Sequence, residues 1–250
     1  MGEIVKGLSF GVNLLNSLLF LCDGMVEMID KEKIKNICKE SGALLVGISS
    51  ADTFSQAPHG FRPTDILSTC KSVLVLCIEF PKDSFESSIN YTSTKNHLMA
   101  KMDEITIEVS EKITEMGFDS IAIESSKAQL ADGRYRGRLS LKHAAVLAGL
   151  GKMGSNTLVV NKKYGNMIWL GAVLTSIPFE SDTPADFELN CNKCNACIKN
   201  CPVSALGETL MKQTACAKYA FINDDKQGRY EVLCWKCRQS CPNKFGVRDS

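Results

Sequence analysis

The chain has 250 residues, 44% hydrophobic and 23% charged, the profile of an ordinary globular protein of one large or two modest domains. A formal net charge of +1 excludes the global basic field that advertises nucleic acid. Twelve cysteines are many for a cytoplasmic protein, and eight of them fall after residue 190. The other four, Cys22, Cys38, Cys70 and Cys77, stand in apolar or helical contexts and read as buried thiols of a reducing cytoplasm.

Residues 1–24 open the chain with an apolar run, Leu8 to Cys22, in which Lys6 is the one preceding basic residue. No small-x-small cleavage site follows, so a signal peptide does not fit. The run is too short and too interrupted by asparagines to span a bilayer. It reads either as an appended amphipathic helix or as residues ahead of a natural start at Met25 or Met28, dispensable for chemistry, and no firm membrane association is expected.

From Asp30 a helix runs to a glycine stop at Ser41-Gly42, followed by a buried strand from Ala43 to Ile48. A Pro/Gly loop over 51–63 leads into a short helical piece at Thr64–Cys70. Ser72 to Phe80 reads as the central strand, ended by Pro81. Leu98, Met102, Ile105, Val109, Ile113 and Met116 recur at intervals of three and four and mark one face of a long helix over 93–117. Asp119 to Ile123 and Met167 to Ser176 are further strands, and Pro178 and Pro184 mark a linker. His59, His97 and His143 have no second ligand at metal spacing and read as structural or surface residues.

Gly149, Gly151 and Gly154 satisfy G-x-G-x-x-G, yet a dinucleotide fingerprint follows a strand and opens a helix. Here the order is reversed: a helix capped by Ser140 precedes the glycines and a strand over Ser155–Val160 follows. The glycines read instead as a helix stop and a close approach to a broad, flat group.

The densest chemistry is Cys191-x2-Cys194-x2-Cys197-x3-Cys201-Pro202, the spacing of bacterial two-cluster ferredoxins, whose fourth cysteine ligates the other cluster. The required second set is Cys216, then Cys234-x2-Cys237-x3-Cys241-Pro242. The spacing assigns Cys191, Cys194, Cys197 and Cys241 to one [4Fe-4S] cluster, and Cys201, Cys216, Cys234 and Cys237 to the other. Zinc sites favour separated Cys pairs, often with His, and disulfides suit short secreted chains; neither matches. Between Asp186 and Ser250 ten Lys/Arg face seven Asp/Glu, a surplus of three that offsets the clusters' negative charge without any external anion.

From Leu139 through Ala-Gly-Leu-Gly, Gly-Ser-Asn-Thr-Leu and Leu-Gly-Ala-Val-Leu-Thr-Ser into the cysteine run, the sequence resembles epoxyqueuosine reductase, a relative of the reductive dehalogenases. Cys38–Ala51 is similar to the family's start, so the likeness covers roughly residues 30–245. The resemblance implies an α/β (α+β) nitroreductase-like cofactor domain at 25–180 and a two-cluster ferredoxin domain at 185–250. It further implies a cobalamin held near Gly149, Gly151, Gly154, Ser155, Asn156 and Thr175. The family's proton-donating carboxylate, reached by counting back from Gly149, is replaced by Tyr135, flanked by Arg134 and Arg136; the nearest acid is Asp132. Reductive dehalogenases use a tyrosine there, which the resemblance transfers to Tyr135.

Three functions follow from these readings. One is a cobalamin-dependent reductase, fed by a low-potential electron donor protein and acting on a small organic substrate. The second is a non-catalytic electron carrier that docks a partner enzyme. The third keeps the scaffold with a flavin in place of cobalamin. The near-zero net charge and the end of the chain at Ser250 argue against tRNA as substrate.

Overall fold

A computed structural model describes residues 18–22, 25–125, 128–131, 134–207, 210–224 and 229–247. Most of the amino-terminal extension and Asp132 lie outside the described residues. Where the extension is described it is a strand and not the expected helix: β1 (Leu18–Cys22) pairs antiparallel with β2 (Met25–Ile29).

The frame is a four-stranded sheet in the order β3-β4-β10-β5, built from β3 (Leu45–Ser50), β4 (Ser72–Glu79), β10 (Ile168–Thr175) and β5 (Ser120–Ile123). Every neighbouring pair is antiparallel. Alternation along β4 sends Leu74, Leu76 and Ile78 to one core and Val73, Val75 and Cys77 to the other. Strands buried on both faces read as continuous apolar runs, which is why β4 was conspicuous in the sequence.

On the first face lie α1 (Lys31–Glu40) and α3 (Ser88–Glu115). The Asp30 carboxylate caps α1 by accepting the Lys33 N–H at 2.6 Å, and Ser87 caps α3 through the Asn90 N–H at 3.1 Å. That cap starts α3 five residues earlier than periodicity indicated. Met102, Ile105, Val109 and Ile113 of α3 are buried against the sheet, each removing apolar surface worth about 1.5–3 kcal/mol. The short α2 (Pro63–Ile66) and the second face carry the rest of the domain. There α4 (Leu141–Leu147) packs Ala144 and Ala145 onto the sheet, small side chains that let the helix lie close.

Before α4 stands the hairpin of β6 (Ala128–Ala131) and β7 (Arg134–Gly137). After it, β8 (Lys152–Met153) pairs with β9 (Val159–Val160). The strand expected over Ser155–Val160 is therefore mostly a tight turn, in which Thr157 adopts φ 59° and donates its N–H to the Gly154 carbonyl at 2.9 Å.

The expected linker is a strap along β3. Asp182 donates its N–H to Ile48 O at 2.7 Å. Its carboxylate accepts the Ile48 N–H at 2.9 Å and pairs with Lys31 and Lys35 at 3.2 and 2.8 Å. The carboxy-terminal part then follows as α5 (Cys191–Cys194), α6 (Ala196–Lys199), α7 (Gln213–Ala220), β11 (Phe221–Asp224), β12 (Arg229–Val232) and α8 (Lys236–Gln239). Val232 joins the same core as α1 and α3, and its N–H reaches Thr92 Oγ1 at 2.9 Å. Among the described residues no helix is long and apolar enough to cross a membrane.

Candidate functional site: two hollows framed by cysteine

Eight cysteines converge in two groups of four. The first hollow is lined by Cys191, Cys194, Cys197 and Cys241. The one-turn helix α5 presents Cys191 and Cys194, and Asn195 then takes a left-handed φ of 50° that redirects the chain into α6 and Cys197. Cys241 arrives from the far motif, just after α8. Burial pushes the Cys197 thiol up to about 11, with Cys191 and Cys241 as further, like-charged causes. The cavity measures about 520 Å³ and opens between the cysteines, the turn at Gly154–Asn156 and the strap residues Asp186 and Glu188.

The second hollow is narrower and is lined by Cys201, Cys216, Cys234 and Cys237, with Leu206, Met211 and Tyr219 as apolar walls. Burial, then Cys237, Cys234 and Cys201, raise the Cys216 thiol to about 11. The Ala205 N–H points at Cys201 Sγ at 3.2 Å, a contact that favours the thiolate. Mutual repulsion of four thiolates is the condition a bound cation core relieves, since metal binding displaces the protons. Among the described residues no three His, Cys, Asp or Glu side chains close around a single ion. A mononuclear zinc site would draw its sulfurs within about 3.8 Å of one another, as Zn–S bonds of about 2.3 Å require. Four cysteines around each hollow are the donor set that a cubane takes.

Both hollows are attached to the sheet domain: beyond Cys241 of the first, the Val247 N–H donates to the Lys162 carbonyl at 2.8 Å, and the segment around Cys237 of the second is held by side chains. Asn156, buried, donates to the Cys237 carbonyl at 3.3 Å. Asn166, also buried, donates to the Arg238 carbonyl at 3.2 Å, and the Arg238 guanidinium donates back to the Asn166 carbonyl. Trp235 stacks on Tyr91 of α3 with ring centroids 4.8 Å apart. Asn166 and Arg238 had no signal in the sequence beyond Arg238 lying beside a ligand cysteine.

The residues expected to cradle a cofactor ring separate. A Cβ on Gly149, whose φ is +72°, would run into the Thr183 carbonyl, and one on Gly151 into the Val160 carbonyl. Both glycines admit the chain's own backbone, so the close approach they permit is internal. Gly154, Ser155 and Asn156 do line a cavity, the first cysteine hollow. Thr175 is fully buried at the end of β10, where its Oγ1 accepts the Ile177 N–H at 3.2 Å, and it lines neither hollow. Of the six residues, Gly154, Ser155 and Asn156 thus share one cavity, and Gly149, Gly151 and Thr175 do not line it.

Tyr135 lies elsewhere, on β7, exposed. Its N–H donates to Gln213 Oε1 at 3.0 Å, and Gln213 Nε2 donates to its carbonyl at 3.3 Å. Gln213 opens α7, the helix that carries Cys216, so Tyr135 is pinned beside the second hollow. Lys142 of α4 is exposed and close enough to Cys237 and Cys216 to feel their charge. Its ammonium reaches solvent, yet protein encloses it closely enough for desolvation to lower its pKa, opposed by Cys237 and Cys216. Arg136 lays its guanidinium over the Phe61 ring at 5.1 Å and leaves a buried Nε without a hydrogen-bond partner. His143 Nδ1 contacts Ser140 Oγ at 2.6 Å, a local contact at the start of α4.

A curated epoxyqueuosine reductase from Listeria monocytogenes is 31% identical over 202 residues, covering 74% of this chain and 51% of the relative. The chain is epoxyqueuosine reductase-like. It spans about half the length of that curated relative. A solved epoxyqueuosine reductase with an epoxyqueuosine-modified tRNA stem loop superposes with a TM-score of 0.56 at 19% identity, over 87% of this chain and 66% of that one. A reductive dehalogenase whose structure concerns B12-dependent dehalogenation superposes with a TM-score of 0.67 at 21% identity, over 84% of this chain and 31% of that one. These likenesses establish a mixed α/β fold shared with both groups. No protein-family model matches the chain. That solved reductase holds a tRNA stem loop, the substrate class that net charge argued against for this chain.

Proposed function

We propose that the chain is an iron–sulfur reductase whose two [4Fe-4S] clusters occupy the two cysteine hollows and deliver electrons to the cleft between β7, α4 and α7. The observation that carries this reading is the Tyr135–Gln213 pair. It pins the Tyr135 backbone beside the helix that supplies Cys216, and in this reading the exposed phenol of that residue is the proton donor. In this reading the first hollow, open to the surface, receives electrons from a low-potential donor protein. The second hollow hands them on to a substrate that collects its proton from Tyr135 and is oriented by the Lys142 and Arg136 cations. A cobalamin bound in that cleft would supply a low-potential metal centre. It is proposed from the fold likeness; of the glycines first assigned to it, Gly149 and Gly151 face the chain's own backbone and Gly154 lines the first hollow.

The substrate class is an organic molecule carrying a reducible C–O or carbon–halogen bond, with tRNA-borne epoxyqueuosine as one member. The domains of this reading are the sheet domain at 25–180 and a two-cluster module at 185–250.

The test is anaerobic reconstitution followed by iron and sulfide analysis, then titration with cobalamin and, separately, flavin, monitored by absorption. About eight irons per chain together with cobalamin binding support the reading. Zinc in place of iron removes it, and clusters without either organic cofactor leave an electron carrier. In the loaded enzyme Tyr135→Phe is expected to bind cofactor normally and to slow turnover about 100-fold, the lower range for loss of a general acid. Unchanged turnover would remove Tyr135 from the chemistry.

A further inference from the structure

The mouth of the first hollow continues into a face built from two turns laid against each other. Asn161 and Gly165 close the first turn by exchanging backbone hydrogen bonds at 2.8 and 2.9 Å. A Cβ on Gly165, at φ +60°, would run into the Asn243 carbonyl, and one on Gly246, at φ +122°, into the Lys163 carbonyl. Together with the bond from the Val247 N–H to the Lys162 carbonyl, these contacts lock the turn after Cys241 onto the turn at 161–165. Lys162, Asn243 and Val247 all line the hollow.

Between Asn243 and Val247 stands Phe245, which remains 43% exposed. Two ammonium groups lie over its ring, Lys82 Nζ at 5.6 Å and Lys244 Nζ at 5.3 Å from the centre. Lys163 is exposed beside Lys162, and Lys193 is exposed between the ligands Cys191 and Cys194. Among the described residues none of Lys82, Lys163, Lys193 and Lys244 forms an ion pair with a carboxylate. Asp83 follows Lys82, and Asp186 and Glu188 line the hollow from the strap. The face is therefore rich in lysine around Phe245 and acidic along the strap, a polarity that orients whatever docks on it.

An exposed aromatic ring among cations is the composition of a protein interface, in which the ring gives contact area and the charges steer encounter. Its position names the occupant. The Lys244 N–H donates to the Cys241 carbonyl at 3.1 Å, so the face is continuous with a ligand of the first site. Contact at that point serves a protein that passes electrons, and it serves an RNA backbone nothing.

We propose that this face docks an acidic one-electron carrier protein, whose carboxylates meet Lys82, Lys162, Lys163 and Lys244 around a central contact with Phe245. The carrier loses one electron, the first cubane gains it, and no proton is transferred.

The inference rests on the two-cluster reading, and the test keeps the two apart. Iron and sulfide analysis of the reconstituted full-length protein, with the EPR signal of its dithionite-reduced form, decides whether the clusters exist without any docking. The probe for docking is an acidic flavodoxin in its hydroquinone form, mixed anaerobically with the protein while its semiquinone is followed by absorption. The second-order rate is expected to fall steeply with added salt. Lys163→Glu combined with Lys244→Glu should slow it about tenfold at low salt, the lower range for electrostatic steering, with iron content and EPR signal unchanged. Phe245→Ala should raise the half-saturating flavodoxin concentration several-fold. Lys71→Glu serves as the control: Lys71 is exposed where β4 meets Thr175, the far end of β10 from Asn166, and its reversal should leave the rate at the parent value. If the double variant loses its iron, the salt dependence of the parent and the Phe245→Ala shift decide the matter. A rate indifferent to salt, equal slowing by Lys71→Glu, or charge reversals that weaken binding of an RNA stem loop while leaving the flavodoxin rate unchanged would each overturn the assignment.

Discussion

The two cysteine hollows come from near-identical motifs and end in different surroundings. One lies at the rim, with a cavity of about 520 Å³ open to the strap and Asn192 and Lys193 exposed beside its ligands. The other is sealed onto the sheet domain by two buried asparagines, an aromatic stack and the only buried arginine among the described residues. Ligand spacing decides which metal core can form. What surrounds the ligands decides how tightly that core is tied to the fold and how readily it accepts charge. A chain with one site on a wide cavity and one in a narrow hollow has the arrangement an electron relay needs, and a structural metal would have no use for the difference.

Breaking one ligand in each site gives the largest contrast. Cys194→Ser and Cys237→Ser should each lower the iron content from about eight to about four per chain. Their stabilities should part. Cys237 stands in the segment clamped by Asn156 and Asn166, so its loss should reach the sheet domain and lower the thermal midpoint by several degrees, whereas Cys194→Ser should leave that midpoint nearly unchanged. Equal midpoints in a thermal melt of the two reconstituted variants would show that the second site is no better coupled than the first.

The sorting of cysteines into fours could be read from C-x2-C-x2-C-x3-C-P because ligand spacing is a local, covalent constraint. The apolar strand Ser72–Glu79 and the face of α3 were legible for a similar reason, since burial on a sheet or helix leaves a period. The glycines misled because a glycine reports that something comes close without saying what. At Gly149 and Gly151 it is the chain's own Thr183 and Val160 carbonyls, 34 and 9 residues away in sequence. The strand expected at Ser155–Val160 failed because Thr157, a β-branched residue, sits at φ 59° in a turn that its propensity opposes. Asn166 and Arg238 were invisible: an exposed pair and a buried clamp are spelled the same way, and only tertiary contact separates them.

A smaller effect isolates the clamp from the ligands. Asn166→Ala leaves the Arg238 carbonyl buried without its donor, at a cost of about 1–3 kcal/mol. Asn192→Ala, on the exposed turn of the first site, should stay within about 0.5 kcal/mol of the parent. Denaturant unfolding of the two reconstituted variants measures both. Comparable losses would mean that the clamp is no stronger than a surface contact.

The smallest effect is kinetic and reads the comparison without changing a residue. In metal-free protein at pH 8, an alkylating agent reacts with thiolate and needs access. Cys191 and Cys194, on the wide first hollow, should be labelled before the thiols of the narrow second one, and the buried Cys197 later than either, as followed by peptide mass spectrometry. Cys38 and Cys77 supply the internal reference: burial pushes both up to about 12, so each remains a thiol in the folded state. The sign of the linkage follows. A folded pKa raised above the unfolded value of 9.0 gives stability that is complete below about pH 9 and is lost progressively as pH rises toward about 12. Labelling of Cys38 and Cys77 should therefore stay negligible at pH 8 and appear only as alkali unfolds the chain, together with loss of the folded circular-dichroism signal. If the second-site cysteines label as fast as the first at pH 8 while Cys38 and Cys77 stay protected, the sheet domain is intact and the enclosure of the second site does not persist without its metal. The clamp would then be a product of cluster assembly.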